Sequence, residues 1–268
     1  MSLAEKRLFL LDMDGTLYLD DRLFDKVPEF LSHVRRIGGR YLFLTNNSSR
    51  GVEGYMEKLS RMGIPTAPED YLTSVDAAID HLRRFHAGEK CYVFGTRAFY
   101  GQLQTAGIPV TDRPEDDVDI LLCGFDRELT FRKLEDACIL LNRGVTWLAT
   151  NPDWVCPMPA GEVLPDCGSI CALLTAASGV KPTYIGKPNR NMVDVISAQT
   201  GVPNAQICCV GDRLYTDIAV AVNAGAQSVL VMSGETDEAI LKASDVQPKY
   251  VLRDVAELAQ ILRGGTAV

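Results

Sequence analysis

Two aspartates, Asp12 and Asp14, follow a short apolar run near the start of the chain, in the string Asp12-Met13-Asp14-Gly15-Thr16. Residues two apart in an extended chain project on the same side, so the two carboxylates should lie together. Two acids at the end of an apolar strand repel each other unless a cation lies there, and Mg²⁺ is a hard cation that prefers oxygen ligands. Gly15 permits a tight turn and a close approach of a ligand to the backbone. The same residue types are common in solvated turns and helix caps, so the string alone leaves both interpretations open.

Apolar strand-like runs alternate with helix-like stretches along the whole chain, which predicts an α/β fold with a mainly parallel sheet. Ligands of open α/β sheets bind at the carboxyl ends of strands, which is where Asp12 and Asp14 stand. The patterns typical of strands cover residues 7–11, 41–44, 91–94, 118–123, 146–149, 207–210 and 228–231. The patterns typical of helices cover residues 27–37, 52–62, 75–85, 98–106, 129–142, 168–178, 192–200, 216–224 and 255–262. Residues 151–166 are rich in Pro and Gly and are predicted to form a loop.

The string DMDGTLY, which begins at Asp12, resembles the first motif of the haloacid dehalogenase (HAD) superfamily of phosphohydrolases. Three later motifs follow in that family's order: a strand ending in Thr45, the lysine of GKPN at Lys187, and GDRLYTD from Gly211 to Asp217. The TNN and GKPN forms are similar to the NagD-type subgroup. That subgroup includes nucleotide, p-nitrophenyl phosphate, phosphoglycolate and pyridoxal phosphate phosphatases. The resemblance covers nearly the whole chain and implies a Rossmann-like parallel core and a phosphatase that acts on a small phosphorylated metabolite.

The resemblance implies a role for each charged motif residue. Asp12 would attack the phosphorus and form an aspartyl-phosphate, while Asp14 would protonate the leaving alcohol and then activate water. Mg²⁺ would be held by Asp12, by Asp212 and by Asp14 through its main-chain carbonyl, and it would screen the repulsion between carboxylate and phosphate. Lys187 would place a positive charge beside Asp12 and the phosphate. An exposed surface lysine is the alternative for Lys187.

The resemblance also implies residues that bind phosphate or support the site. The phosphate-binding set comprises Gly15, Thr45, Asn46 and Asn47. A helix N-cap is the alternative for the threonine and the asparagines, and it is compatible with anion binding because helix N-termini attract anions. Gly211 would support the adjacent Asp212. Asp217 would orient Lys187 or a metal-bound water, and an acid in the first turn of a helix is its alternative.

The spacing of the motifs predicts an inserted domain. About thirty residues separate Asp14 from Thr45, enough for one helix and one strand. About 140 residues lie between Asn47 and Lys187, far more than one crossover requires, and they contain their own strand and helix alternation. We therefore expect a discontinuous core at residues 1–80 and 181–268, with an α/β cap inserted at residues 81–180. An insertion at this point matches the type-2 (C2) cap of the NagD-like subgroup.

The predicted loop at residues 151–166 is the candidate for substrate selection. Asp153, Trp154, Cys156 and its glycine-containing turn are expected to close over the leaving group and exclude water. A core aromatic is the alternative for Trp154. Relatives that act on pyridoxal phosphate carry a histidine in this loop; this loop has none, which argues against that substrate.

Composition and hydropathy limit the binding partners and the cellular location that we expect for this protein. The net charge of −8 argues against binding to a nucleic-acid polymer, which relies on Lys and Arg to neutralise phosphates. No apolar run approaches the roughly 20 residues that span a bilayer, and the N-terminus does not fit a secretory signal, so we expect a cytoplasmic protein without a membrane partner. The eight cysteines form no CxxC pair, and those within apolar runs should be reduced, buried thiols: Cys91, Cys123, Cys208 and Cys209. The sequence leaves the oligomeric state open; dimers through the cap occur in the subgroup, so a homodimer is suggested by analogy alone.

A protein that binds phosphate or another protein on the same fold, without turnover, is the alternative function. A receiver domain also combines acids, a Thr and a Lys on a parallel sheet, but it is much shorter and has no inserted cap. A decayed enzyme should have lost one of the residues that carry the chemistry. All of them are present: Asp12, Asp14, Lys187 and Asp212. The phosphatase is therefore the favoured interpretation.

Overall fold

A computed structural model describes residues 3–158 and 162–264 of the protein. The strands are β1 (Leu8–Leu11), β2 (Tyr18–Leu19), β3 (Arg22–Leu23), β4 (Arg40–Thr45), β5 (Tyr71–Thr73), β6 (Cys91–Phe94), β7 (Val110–Thr111), β8 (Ile120–Cys123), β9 (Thr146–Ala149), β10 (Val155–Pro157), β11 (Val163–Pro165), β12 (Thr183–Tyr184), β13 (Ile207–Gly211), β14 (Gln227–Val231) and β15 (Tyr250–Leu252). The α-helices are α1 (Val27–Arg36), α2 (Val52–Arg61), α3 (Ser74–Phe85), α4 (Arg97–Thr105), α5 (Phe131–Arg143), α6 (Cys167–Ser178), α7 (Asn191–Thr200), α8 (Ala219–Ala224), α9 (Glu238–Ala243) and α10 (Val255–Leu262). The chain divides into two compact units, described in turn below.

The first unit comprises Met1–Thr45, Tyr55–Leu72 and Lys187–Val268, and its sheet has the strand order β15-β14-β13-β1-β4-β5. β1 is parallel to both of its neighbours, with Leu11 opposite Phe43 of β4 and Val210 of β13. Every residue of β1 and of β13 is buried, as expected for strands covered on both faces. The carboxyl ends of β1, β4 and β13 therefore lie side by side, and the motif residues that follow them share one edge of the sheet.

Helices of the first unit cover this sheet through apolar side chains. Phe9 of β1 meets Phe30 of α1 edge to face, with 6.0 Å between ring centroids. Pro28 lies in the first turn of α1, where its missing N–H costs nothing. Gly38, with φ of 73°, adopts the left-handed conformation just after the helix ends. His33 of α1, for which the sequence suggested no role, is buried within hydrogen-bond distance of the Leu262 carbonyl at the end of α10 (3.2 Å).

The second unit comprises Asn46–Gly54 and Thr73–Gly186 and has its own parallel sheet, in the order β12-β9-β8-β6-β7. Helices α5 and α6 pack together on this sheet around a core formed by Leu121, Ala137, Leu140, Ile170 and Leu174, among others. Two parallel sheets with covering helices confirm the predicted α/β class. The predicted cap limits, residues 81 and 180, stay a prediction; the compact unit itself runs from 73 to 186 and includes 46–54.

Most predicted elements are present within one or two residues of their expected limits, but one prediction was wrong. The segment at residues 151–166 is not a loop throughout, because β10 and β11 pair as an antiparallel hairpin within it. The helix expected at 216–224 is present and begins two residues earlier, as a π-helix at Leu214–Ile218 that continues into α8. Short strands such as β5, β7 and β15 were not predicted, since two or three residues carry no readable periodicity.

Two further expectations concern cysteines and membranes. Cys91, Cys123, Cys208 and Cys209 are buried free thiols, as predicted. None of the helices within residues 3–158 and 162–264 is long and apolar enough to cross a membrane.

Candidate active site

Lys187 is the buried centre of an ion-pair cluster in the first unit. Its ammonium donates to Oδ1 of Asp12 at 2.7 Å, to Oδ1 of Asp217 at 2.5 Å and to the Leu44 carbonyl at 3.1 Å. These three acceptors match the three protons of the ammonium group. Burial by itself lowers the pKa of Lys187, but the two carboxylates hold that pKa above its ordinary value. The lysine is only 3% exposed and remains charged, so the alternative of a surface lysine is wrong.

Three carboxylates from separate parts of the first unit converge on one point. Asp12, Asp212 and Asp217 each offer an oxygen, and these oxygens lie within 4.8 Å of one another. Burial raises the pKa of Asp12 well above its ordinary value, and repulsion from Asp217 adds to the effect, whereas Lys187 opposes it. Burial likewise raises the pKa of Asp212 to about 7, with Asp217 the second cause. One lysine does not neutralise three acids, and a hard divalent cation bound by carboxylate oxygens would fit this donor set.

Asp212 is held in place by groups on both sides of its carboxylate. Thr16 donates to its Oδ1 at 3.3 Å, and the backbone N–H of Glu235 donates to its Oδ2 at 2.7 Å. The Thr236 hydroxyl donates to its main-chain carbonyl at 2.5 Å. A Cβ at Gly234 would overlap the carboxylate, so the backbone approaches as closely as only glycine allows. The segment 233–236 was not identified from the sequence; the glycine after β14 was its only signal.

Gly211 and Asp217 lie where a supporting role requires. A Cβ on Gly211 would overlap the side chain of Asp217, so this glycine makes room for the acid. The second carboxylate oxygen of Asp217 accepts from the backbone N–H of Arg213 at 3.1 Å. The arrangement fits the predicted role of Asp217 in orienting Lys187, and that role stays a prediction.

Asp14 lies outside the three-carboxylate cluster. Its Oδ2 accepts from the Tyr18 hydroxyl at 3.3 Å, and its Oδ1 pairs with the Lys58 ammonium at 3.4 Å. The Asp14 side chain is half exposed, so it is accessible to a ligand. The prediction was that Asp14 binds a cation through its main-chain carbonyl. The position of its carboxylate does not test that prediction. Neither Tyr18 nor Lys58 was singled out from the sequence.

The predicted phosphate-binding residues are divided between the two units. Thr45 ends β4 in the first unit, and its hydroxyl lies 3.5 Å from that of Tyr55. Asn46 and Asn47 belong to the second unit. The Asn46 carbonyl accepts hydrogen bonds from the side chains of Ser74 (2.6 Å) and Asn151 (2.8 Å), which fixes the backbone there. The Asn47 side chain accepts from the N–H and hydroxyl of Ser49 in a local turn.

The proposed substrate-selecting residues lie at the start of the hairpin in the second unit. Asp153 is buried, and its N–H donates to the Asn151 side chain at 3.0 Å. Trp154 is 57% exposed, so the alternative of a core aromatic is wrong. Cys156 is partly buried against the core of this unit. The glycine-containing turn at residues 159–161 lies outside the described residues.

The raised pKa of Asp212 predicts how the stability of the metal-free protein depends on pH. Between about pH 4 and pH 7 the folded protein keeps a proton on Asp212 that the unfolded chain has already lost. The free energy of unfolding should therefore fall as pH rises through this window, by an amount on the order of a few kcal/mol, and Asp12, whose pKa burial also raises, should add to the fall. Urea denaturation of chelator-treated protein at a series of pH values measures this slope. Asp212→Asn should reduce the slope between about pH 4 and pH 7, and an equal slope in the variant would contradict the assignment.

Comparison with known proteins places this site in a family. The family model described as haloacid dehalogenase-like hydrolase matches residues 9–109, and the HAD-hydrolase-like model matches residues 184–258. The 4-nitrophenylphosphatase of Thermotoga maritima is similar in structure, with a TM-score of 0.90 and 39% identity over 96% of this chain and 98% of that one. NagD from E. coli K-12 has a TM-score of 0.84 and 28% identity over 94% of this chain and 98% of its own.

One curated relative is similar to this chain over almost the full length of both proteins. The acid sugar phosphatase of Staphylococcus aureus is 29% identical over 255 residues, which are 95% of this chain and 97% of that protein. The family models match the segments that carry Asp12, Thr45, Lys187 and Asp212. The chain therefore belongs to the haloacid dehalogenase-like hydrolases, among their NagD-like phosphatases.

Proposed function

We propose that the chain is a Mg²⁺-dependent phosphatase that hydrolyses small phosphate monoesters through an aspartyl-phosphate at Asp12. The observation that carries the proposal is the Lys187 cluster, in which a buried ammonium bonds one oxygen of Asp12 and is itself fixed by Asp217. The other oxygen of Asp12, Oδ2, accepts from the Thr16 hydroxyl at 3.5 Å and is the oxygen proposed to attack. A nucleophile held in this way suits phosphoryl transfer, whose catalysis is mostly positioning and charge stabilisation.

The residues of this chain account for both halves of the reaction. In the first half, an oxygen of Asp12 bonds to phosphorus, the bond from phosphorus to the leaving oxygen breaks, and Asp14 gives that oxygen its proton. In the second half, Asp14 takes a proton from water as the water attacks the phosphorus. The Asp12 carboxylate and inorganic phosphate are the products. Lys187 offsets negative charge beside Asp12 throughout.

The carboxylate cluster is the proposed place of the cation. Asp12, Asp212 and the main-chain carbonyl of Asp14 would hold it, while Asp217 stays bonded to Lys187. The chemistry that a bound Mg²⁺ supplies is neutralisation of the phosphate and of the attacking carboxylate. The raised pKa values of Asp12 and Asp212 support this assignment, because they reflect acids buried together without enough positive charge.

The second unit is the proposed cap, and it would choose the substrate. Its exposed Trp154, with Asp153 and Cys156 nearby in sequence, supports a contact with the leaving group. The relatives named for sugar phosphates and 4-nitrophenyl phosphate support substrates of those types, and nucleotides and phosphoglycolate belong to the same class of small monoesters. A homodimer stays a prediction by analogy.

Hydrolysis of p-nitrophenyl phosphate tests the function directly. The protein is stripped with a chelator and assayed alone and after addition of single divalent cations. We expect no turnover without a cation and turnover with Mg²⁺. Failure across the whole panel of cations would favour the alternative, a phosphate-binding module without turnover. A screen of phosphorylated metabolites ranked by kcat/KM would then identify the preferred monoester.

A further inference from the structure

The half-exposed carboxylate of Asp14 is clamped by Tyr18, the last residue of the DMDGTLY string, and by Lys58, and the proposed mechanism gives neither of them a role. The Tyr18 hydroxyl donates to its Oδ2 at 3.3 Å, and the Lys58 ammonium lies 3.4 Å from its Oδ1. The same ammonium lies 4.0 Å from the centroid of the Tyr18 ring, within the range of a cation–π contact. The three side chains therefore form a closed triangle in the first unit, with one contact along each side.

Both clamping residues are less exposed than the aspartate they hold. Tyr18 is fully buried, its carbonyl accepts from the N–H of Gly15 at 2.9 Å, and it pairs with Leu23 in the β2–β3 hairpin. Burial, and then the nearby Asp14, raises the pKa of Tyr18 well above its ordinary value, so its hydroxyl keeps its proton. The Lys58 side chain is only 15% exposed, against 50% for that of Asp14. Two largely buried donors thus limit the directions in which the half-exposed carboxylate can point.

The two donors reach different oxygens of the same carboxylate. The Tyr18 hydroxyl contacts Oδ2 and the Lys58 ammonium contacts Oδ1. Contacts at both oxygens restrict rotation of the carboxyl group about its bond to the Cβ atom. A general acid must be within hydrogen-bond reach of the atom that it protonates, so the orientation of this group matters for the reaction.

We propose that Tyr18 and Lys58 are positioning residues that aim Asp14 at the leaving oxygen. The proposal rests on the proposed phosphatase function. In the step concerned, the bond from Asp12 to phosphorus forms, the bond from phosphorus to the leaving oxygen breaks, and the Asp14 proton moves to that oxygen. The clamp should matter most for leaving groups that cannot depart as anions. It thus favours alkyl phosphates such as sugar and glycerol phosphates over activated aryl esters.

The test compares two substrates that differ in their need for a proton. An alkoxide leaves only when protonated, whereas p-nitrophenolate leaves without help. We choose kcat/KM because it reports the steps up to the first irreversible one, which includes departure of the leaving group. Lys58→Met should lower kcat/KM for glycerol phosphate by about 10- to 100-fold, and for p-nitrophenyl phosphate by no more than about threefold. Lys58→Arg should recover part of the loss, and Tyr18→Phe should show the same selectivity for the alkyl ester.

Arg61→Met is the matched control, because Arg61 is an exposed cation one turn further along α2. It should leave both substrates unchanged, which separates the clamp from the general charge of the helix. Equal losses on both substrates in Lys58→Met, or no loss on either, would overturn the proposal. A wild-type protein that hydrolyses neither ester with any divalent cation would instead remove the phosphatase function itself. Thermal unfolding of each variant checks that a change in kcat/KM is not a loss of folded protein.

Discussion

Asp12→Asn should abolish turnover of every phosphate ester while the protein stays folded. The amide has the shape of the carboxylate but no nucleophilic oxygen, so kcat should fall by about 10⁴-fold or more, as expected when a covalent nucleophile is lost. The fold should not suffer. Asp12 is a partly buried acid whose pKa is raised by burial and by repulsion from Asp217, and Lys187 keeps Asp217 as a partner in the variant. Steady-state kinetics and thermal unfolding of the metal-free protein measure the two effects.

A trapping experiment sharpens this first prediction. Acid quenching during turnover, followed by mass spectrometry, should find a phosphate adduct on the wild-type peptide that contains Asp12 and none on the variant. Asp20→Asn is a suitable control, because Asp20 is an exposed acid in the β2–β3 turn of the same segment. Turnover retained by Asp12→Asn would remove Asp12 from its role as nucleophile. An adduct on another residue would place the chemistry elsewhere.

Lys187→Met should be the most destabilising single change in the site and should also stop catalysis. It leaves the buried carboxylate of Asp217 and the partly buried carboxylate of Asp12 without their common partner. Removing one partner of a buried ion pair typically costs about 3–5 kcal/mol of unfolding free energy. Loss of the charge beside the phosphate should lower kcat by about 10²- to 10³-fold in the protein that remains folded. Urea denaturation and kinetics below the melting temperature measure the two effects separately.

A double-mutant cycle distinguishes the buried pair from mere loss of packing. Adding Asp217→Asn to Lys187→Met removes one of the two unpaired acids, so the double variant should recover part of the lost unfolding free energy. Lys26→Met is the control, since Lys26 pairs with Glu29 on the surface and such pairs contribute about 0–1 kcal/mol. If the two changes simply added, Lys187 and Asp217 would not be coupled, and the cluster would have to be reinterpreted.

The local pattern of the sequence was sufficient to predict the α/β class and the position of most elements. The runs that became β1 and β13 are apolar throughout and became strands buried along their whole length. Helix ends were also readable, because Pro28 and Gly38 act through their own backbone geometry. These signals depend on residues adjacent in the chain, and local physical chemistry is enough to interpret them.

Elements that depend on a distant partner were less predictable. The hairpin of β10 and β11 lies in a segment whose prolines and glycines predict a loop, and it exists because its strands supply each other's hydrogen bonds. The strand β15 has three residues and is defined by its pairing with β14. The early start of the helix at Leu214 accompanies the packing of Leu214 and Ile218 against Leu230 of β14. The alternation of apolar and polar residues within a short segment does not indicate which distant residues it pairs with or packs against.

The sequence by itself determined which side chains stand at the ends of apolar strands: Asp12 after β1, Thr45 at the end of β4 and Asp212 after β13. It did so because a strand, and the polar residue that ends it, are local features. Only the tertiary structure decided that Asp217 joins Asp12 around Lys187, that residues 233–236 hold Asp212, and that Tyr18 and Lys58 hold Asp14. The contact between Lys187 and Asp12 joins residues 175 positions apart, so it depends on which strands become neighbours in the sheet.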